Sequence, residues 1–325
     1  MMKNAARSKS LLHKPRFAIL LSLLLLPLSG WTQLNVYFLN VGQGDATYIE
    51  LPGGSNVLID GGPSSLPVRE FLMAKGVRRI DHVVLTHPHS DHYRGLKKVL
   101  QYFEVKNFYD TRVENLGAIG DNNLRELAAA QAAKVHFPEV GQHMNWDRNV
   151  TVKVLNTCSE VIQTRDSTRI NNCSLVMRFY YNGTGLLLTG DIEASQENAI
   201  TRVFKSGLES QILKVSHHGS AYSSTPRFLE RVKPVHAIIS YGVGNNYGHP
   251  HADALLRLQA AGATVYGTQD GNLLMTIPPP GSPKGIDVAP LPFAITPVSA
   301  EELASEPVTM PESQALEQLL NSPLR

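Results

Sequence analysis

The chain is poor in cysteine, with two residues, Cys158 and Cys173, among 325. No Cys-x-x-Cys spacing exists, so a cysteine-ligated zinc site is excluded. No cysteine follows the N-terminal apolar stretch, which argues against a lipoprotein. Long apolar runs are equally scarce. The longest, Phe17 to Leu28, is interrupted by Ser22 and Pro27 and covers about a dozen residues, too short for a comfortable bilayer span. Lys3, Arg7, Lys9, Lys14 and Arg16 precede it and Ser29-Gly30 follows. Residues 1–30 therefore read as a signal peptide, the alternative being an uncleaved anchor. The expectation is export to the periplasm or beyond, with no stable membrane span once the signal is removed. Charge of one sign is also missing. The whole chain carries +2, and residues 1–30 hold five basic and no acidic side chains, which leaves about −3 for the remainder. That is not the bias of a dedicated nucleic-acid binder, although a local basic groove remains open.

What is present is concentrated in one place. Thr86-His87-Pro88-His89-Ser90-Asp91-His92 puts three imidazoles and one carboxylate into six consecutive residues, His87 to His92. Such groups are costly to bury without partners, so packing is a poor explanation. Ile80 to Leu85, before the cluster, reads as a strand, and Gly95 to Tyr102, after it, as a helix. Chemistry in α/β proteins usually sits on strand-to-helix loops of this kind. Pro88 keeps His87 out of helical geometry. In an extended stretch residues two apart face the same way, so His87 and His89 can face one metal ion. Asp91 and His92, at the turn into the helix, can face a second.

The rest of the body reads as strands alternating with helices. Strands are expected near Asn35–Asn40, Ala46–Leu51, Val57–Asp60, Val150–Leu155, Ser174–Tyr180, Gly185–Leu188, Ala237–Ser240, Thr264–Tyr266 and Leu273–Ile277. Helices are expected near Pro67–Lys75, Asn123–Lys134, from Thr225-Pro226, and near Ala252–Ala261. Past Ile277 the prolines begin: Pro278-Pro279-Pro280, then Pro283, Pro290, Pro292 and Pro297. Residues 278–325 read as a Pro-rich linker or surface strap. Each cysteine lies near a strand end, and a disulfide pinning the loop between them would persist in an oxidising compartment. The spacing leaves free thiols equally open.

The His-x-His-x-Asp-His spacing resembles that of the metallo-β-lactamase superfamily of metallohydrolases. Leu58-Ile59-Asp60-Gly61-Gly62, Leu187-Leu188-Thr189-Gly190-Asp191 and Lys214-Val215-Ser216-His217-His218-Gly219-Ser220 resemble its further motifs, in the family's order. Within it, Asn40-Val41-Gly42-Gln43-Gly44-Asp45-Ala46 and His217-His218-Gly219-Ser220 resemble the soluble hydrolase domain of ComEC-type competence proteins. Tyr247 to Pro250 is shared with a secreted phosphorylcholine esterase. The resemblance implies an α/β fold, the αβ/βα four-layer sandwich, as a single domain over residues 31–277. It also implies two divalent metal ions, zinc first, with manganese or iron open. One departure is that the loop expected to supply a further His reads Asn171-Asn172-Cys173-Ser174, which argues against β-lactam hydrolysis. The transmembrane helices of a whole ComEC-type transporter are not in this sequence.

The resemblance assigns His87, His89, Asp91, His92, Asp191 and His218 as metal ligands, with Asp191 bridging. Asp191 alone could equally cap a helix near Ile192–Val203. Asp91 would also orient the nucleophile and Asp60 would fix ligand orientation, while of His217 and His218 one would ligate and the other contact substrate, with His218 the favoured ligand and the reverse left open. Asn172, Gly219, Ser220 and His249 are the candidate substrate-binding residues. The small polar loop Gly219, Ser220, Ser223 and Ser224, before a helix, suits a phosphate. Asp45 either lines the site or merely begins a strand. His82, His136, His143 and His236 are read as structural or surface residues. The expected reaction is hydrolysis of a phosphodiester, in extracellular DNA or a phosphorylated envelope component, by a hydroxide held between the metals. The alternatives are ester or lactone hydrolysis, or non-catalytic binding of DNA or phosphate. No obligate protein partner is inferable.

Overall fold

The computed structural model describes residues 33–117 and 123–291. The expected signal peptide and residues 292–325 lie outside the described residues. In chain order the first half runs β1 (Leu34–Phe38), β2 (Thr47–Glu50), β3 (Asn56–Ile59), α1 (Leu66–Ala74), β4 (Arg79–Val84), α2 (Ser90–Tyr102), β5 (Glu104–Tyr109), β6 (Val113–Asn115), α3 (Asn123–Ala130) and β7 (Lys134–His136). The second half begins β8 (His143–Met144), β9 (Thr151–Asn156), β10 (Ile162–Thr164), α4 (Ser167–Asn172), β11 (Val176–Tyr181), β12 (Thr184–Leu188) and α5 (Ala194–Phe204). It ends β13 (Ile212–Lys214), α6 (Pro226–Val232), β14 (His236–Ile239), α7 (Ala252–Ala260), β15 (Thr264–Gly267), β16 (Asn272–Ile277) and β17 (Asp287–Leu291).

Two large sheets form, in the orders β17-β16-β1-β2-β3-β4-β5-β7 and β15-β14-β13-β12-β11-β9-β8. Val36, Phe38 and Met275 of the first interlock with Val152, Met177, Phe179 and Leu186 of the second in one apolar cluster. The outer face of the first sheet packs Leu58, Ile80 and Val83 on Leu72 of α1, Leu96 and Val99 of α2 and Leu127 of α3. The outer face of the second packs Leu187, Leu213 and Ile239 on Ile200 of α5, Phe228 of α6 and Leu258 of α7. Both faces of each sheet are thus covered, which is why the central strands read as unbroken apolar runs. The result is the αβ/βα four-layer sandwich.

Within each sheet one block is parallel: β3, β4, β5 and β7 in the first, β12, β13, β14 and β15 in the second. Asp60 follows β3, His87 follows β4, Asp191 follows β12 and His217 follows β13. All four motifs therefore leave the carboxyl ends of parallel strands, where α/β sheets gather ligand-binding groups.

Several expectations change in detail. The helix expected to Lys134 ends at Ala130, because Ala132 turns left-handed (φ 59°) and Lys134 opens β7. The helix after the His cluster starts at Ser90, which puts Asp91 and His92 in its first turn. The stretch around Asn171, read as a loop, carries the short helix α4, capped by the Asp166 carboxylate on the Arg169 N–H at 3.2 Å. The Pro-rich tail is not only a linker. Asp287–Leu291 adds an edge strand to β16, with Pro290 opposite Leu273. An edge strand tolerates a proline, which cannot donate to the ladder. Cys158 and Cys173 form a disulfide with Cα atoms 5.0 Å apart, closing the loop that carries β10 and α4.

Candidate metal centre

Asp60 turns left-handed at the end of β3 (φ 58°), a conformation Asp adopts more readily than most residues. Its carboxylate accepts from the Thr86 N–H at 2.8 Å and the Thr86 hydroxyl at 2.7 Å. Its Oδ2 lies 2.7 Å from His92 Nδ1. Burial pushes the Asp60 carboxyl up, against the pull of His92. A carboxylate can only accept, so His92 carries its proton on Nδ1 and turns Nε2 inward. The main chain fixes the same approach. Gly61 N–H donates to His92 O at 2.7 Å and Gly95 N–H to Gly62 O at 3.0 Å. A Cβ on Gly95 would stand 1.8 Å from Gly61 O, so only glycine lets α2 sit this close.

His218 is oriented in the same sense from the opposite sheet. Its Nδ1 donates to Ser240 O at 2.8 Å, and its Nε2 points at the carboxylates. His217 and His218 both adopt left-handed geometry (φ 49° and 54°), which sends one ring to the cleft wall and the other to the interior. His218 Nε2 stands 3.2 Å from Asp91 Oδ2 and 3.4 Å from Asp191 Oδ2. His92 Nε2 stands 3.3 Å from the same Asp191 oxygen. Neither Nε2, nor Asp191 Oδ1, has hydrogen-bond geometry to any partner, although all are buried. Buried polar atoms left this way are expensive unless something binds them.

Burial disfavours charge on all these groups, yet mutual attraction wins. His218 is driven up to about 10 by Asp191 and Asp45, and His92 well above its ordinary value by Asp191, Asp60 and Asp91. Asp191 and Asp91 are held below the usual carboxylate range by the same imidazoles. The pocket therefore demands positive charge. Asp91, His92 and His218 present donor atoms within 4.8 Å of one another, a nitrogen–oxygen set that suits a divalent cation.

His87, His92 and Asp191 form a second such set. His87 Nε2 lies 3.8 Å from Asp191 Oδ2 and 3.0 Å from His89 Nδ1. Burial holds His87 well below its ordinary value, so it stays neutral, as a ligating imidazole must. His89 is likewise lowered, by burial, and lines the cleft, its Nε2 3.3 Å from the Ser167 hydroxyl. Five of the six expected ligands fall in these two sets, which share His92, while His89 joins neither and stands beside His87 at the cleft.

A cleft of about 150 Å3 opens onto them, walled by His89, Asp91, Asn171, His217, Tyr247 and His249. His217 Nδ1 stands 3.7 Å from Glu193 Oε1, and its ring lies 5.4 Å from that of His249. His249 is lowered to about 4, first by burial and then by the neighbouring imidazoles.

Three substrate-binding assignments do not hold. Asn172 faces away from the cleft, donating to the Ser195 hydroxyl at 3.2 Å and accepting from Glu193 N–H at 2.9 Å. Asn171 takes its place, with Nδ2 on Glu193 Oε1 at 3.1 Å and Oδ1 buried without a partner. Gly219 and Ser220 are buried behind His218, where a Cβ on Gly219 would meet Pro250 at 2.7 Å. The suggested phosphate loop is already filled. Glu197 accepts from the Ser224 N–H at 2.6 Å and the Thr225 N–H at 2.7 Å, so a carboxylate of the chain itself caps α6. Sequence reasoning missed Asn171, Ser174, Glu193 and Lys214. Ser174 Oγ accepts from the Asp191 N–H at 3.0 Å and stands 3.3 Å from His87 Nδ1. The visible signal for Lys214 was a lone cation in an otherwise apolar strand.

Residues 39–130 match the family model described as Metallo-beta-lactamase superfamily. ComE operon protein 3 of Bacillus subtilis (strain 168) is 31% identical over 73% of this chain and 32% of its own length. Competence protein ComA of Neisseria gonorrhoeae is 31% identical over 62% of this chain and 27% of its own. The chain thus spans about a third or less of the length of the curated relatives it matches. Among solved structures, CmlA, a diiron beta-hydroxylase from Streptomyces venezuelae, is 15% identical, covering 73% of this chain and 52% of its own, with a TM-score of 0.48. On the family match and the competence relatives, the chain carries a metallo-beta-lactamase superfamily hydrolase domain, related to that of the ComEC-type competence proteins.

Proposed function

We propose that the protein is an exported metallohydrolase that cleaves phosphodiesters, in DNA outside the cytoplasm or in a phosphorylated envelope component. The observation that carries this reading is the convergence of His92 Nε2 and His218 Nε2, neither of them hydrogen-bonded, on Asp191 beneath a cleft lined by His218 and Asp191. His87, His89 and Asp191 would hold one divalent cation, and Asp91, His92, His218 and Asp191 the other. When bound, such a pair lowers the pKa of an attacking water and offsets charge developing on phosphoryl oxygens. The chain's own groups do the rest. Asp60 and Ser240 O lock the two inward imidazoles. Asp91, which lines the cleft, orients the attacking water. His217 contacts a substrate oxygen, steadied by Glu193, and Asn171 lines the same cleft.

The competence relatives support a nucleic-acid or other phosphodiester substrate, and the Cys158–Cys173 disulfide supports an oxidising compartment, free or anchored. Zinc is the first choice for this donor set, with manganese and iron following. The test is a panel of single-stranded DNA, bis-p-nitrophenyl phosphate and p-nitrophenyl acetate against the zinc- or manganese-loaded protein. Diester cleavage above acetate cleavage is expected. Acetate cleavage alone would move the assignment to esters or lactones, and metal without any turnover would move it to a binding protein.

A further inference from the structure

Lys214 ends the central strand β13 and is 3% exposed. Its ammonium pairs with Asp45 Oδ2, itself almost fully buried. Asp45 in turn stands behind both inward imidazoles, with Oδ2 3.9 Å from His92 Nδ1 and Oδ1 3.7 Å from His218 Nδ1. Asp45 Oδ1 has no hydrogen-bond partner. Asp45 also falls within 4.8 Å of Asp191 and His218, a set able to take a cation itself. A small space is lined by Asp45 and Lys214 together with Asp60, Thr86 and Gly190. A buried lysine is tolerated only with a compensating charge, so the chain has placed a cation directly beneath a cation-binding cluster.

We propose that Lys214 sets the charge of this centre: through Asp45 it withdraws one carboxylate from the bound cations and leaves the loaded cleft one charge more positive, selecting anionic over neutral substrates. This rests on the reading that the centre holds divalent cations and cleaves phosphodiesters. Asp45, Asp60, Asp91 and Asp191 face the imidazoles. Two dications would balance all four, but Lys214 already balances Asp45, so the loaded centre carries one positive charge more than it would without the lysine. Glu193 stands at the rim beside His217 and Asn171, partly exposed, where water screens it. The Lys214–Asp45 pair is buried and neutral as a unit, so the extra charge left on the centre acts through a low-dielectric interior. A monoanionic diester gains from that field as negative charge builds on its oxygens; a neutral ester gains much less.

The test compares full-length wild type with Lys214→Met, Asp45→Asn and the double variant. Zinc affinity is read by chelator competition, and selectivity as kcat/KM for bis-p-nitrophenyl phosphate against the neutral diethyl p-nitrophenyl phosphate. Lys214→Met is expected to bind zinc at least about tenfold more tightly and to lose at least about tenfold of its preference for the anion. Asp45→Asn, with its ammonium unopposed, is expected to bind zinc at least about tenfold more weakly. The double variant removes a neutral pair and is expected to return near wild type in both readouts, within about threefold. Zinc affinities unchanged in both single variants, with an unchanged substrate ratio, overturn the proposal. Should Lys214→Met not fold, Asp45→Asn and the double variant decide it alone. A wild type that binds zinc but cleaves neither ester defeats the phosphodiesterase reading; the zinc affinities then decide whether Lys214 sets the charge.

Discussion

His92 Nδ1 sits 2.7 Å from Asp60 Oδ2, across the gap between the first turn of α2 and the end of β3. That contact decides which imidazole nitrogen faces the centre. Asp60→Asn keeps the shape and tolerates the left-handed backbone, but an amide holds the His92 tautomer less firmly. Metal affinity is expected to fall by about 10–100-fold, the usual loss when an outer partner of a ligating His is removed. Chelator competition against wild type checks this, and undiminished affinity would show that the His92 ring is held by other means.

Gly95 makes a second prediction about the same helix. A methyl group there would stand 1.8 Å from Gly61 O, so the start of α2 must shift. Gly95→Ala is expected to cost about 1–3 kcal/mol of stability from overpacking. Because His92 moves with α2, turnover should fall by roughly 10²-fold, as for an ångström-scale misplacement. Urea denaturation and steady-state kinetics on one preparation read both effects.

Glu197 is fully buried and caps α6 through two N–H groups, one on each oxygen. Glu197→Gln replaces one acceptor by an NH2 and leaves one N–H facing a donor. The expected cost is about 1–3 kcal/mol, the penalty for an unsatisfied buried group. Chemical denaturation measures it. Zinc affinity should not change, since Glu197 touches none of the six ligands.

The Cys158–Cys173 bridge spans a separation of 15 residues and carries α4, and with it Ser167 and Asn171 on the cleft wall. Cys158→Ser/Cys173→Ser is expected to lower stability by about 3 kcal/mol, on the chain-entropy estimate for a loop of that length. A rise in KM with little change in kcat should accompany it, because the wall loosens while the ligands stay fixed. Kinetics of the variant, beside denaturation with and without reductant on wild type, check the pair of effects.

The fold and the candidate His/Asp cluster were legible for one reason: their motifs are local. His87 to His92 are contiguous, and Asp60, Asp191, His217 and His218 each close an apolar strand, so pattern and spacing were enough. The substrate wall was not legible because it depends on which way a short helix turns. Asn171 and Asn172 are neighbours in sequence, but α4 sends one side chain into the cleft and the other onto Ser195. The small polar loop before α6 looked like an anion site because its natural occupant, Glu197, lies 27 residues earlier, on α5. Lys214 is similar: a charge in a central strand signals a buried partner, but only the packing of the two sheets reveals that the partner is Asp45. The edge strand β17 was hidden by its own proline, which reads as a breaker everywhere except at a sheet edge.

The most direct test of the paired-cation account is to quantify bound metal and diester cleavage together in wild type, His89→Ala and Asp191→Ala. Wild type is expected to hold about two divalent ions per chain and to cleave bis-p-nitrophenyl phosphate and single-stranded DNA. His89→Ala should lose one ion, Asp191→Ala both, and cleavage should vanish in each. A wild type that takes up no metal after reconstitution with zinc or manganese, or an Asp191→Ala that cleaves as well as wild type, would contradict the account.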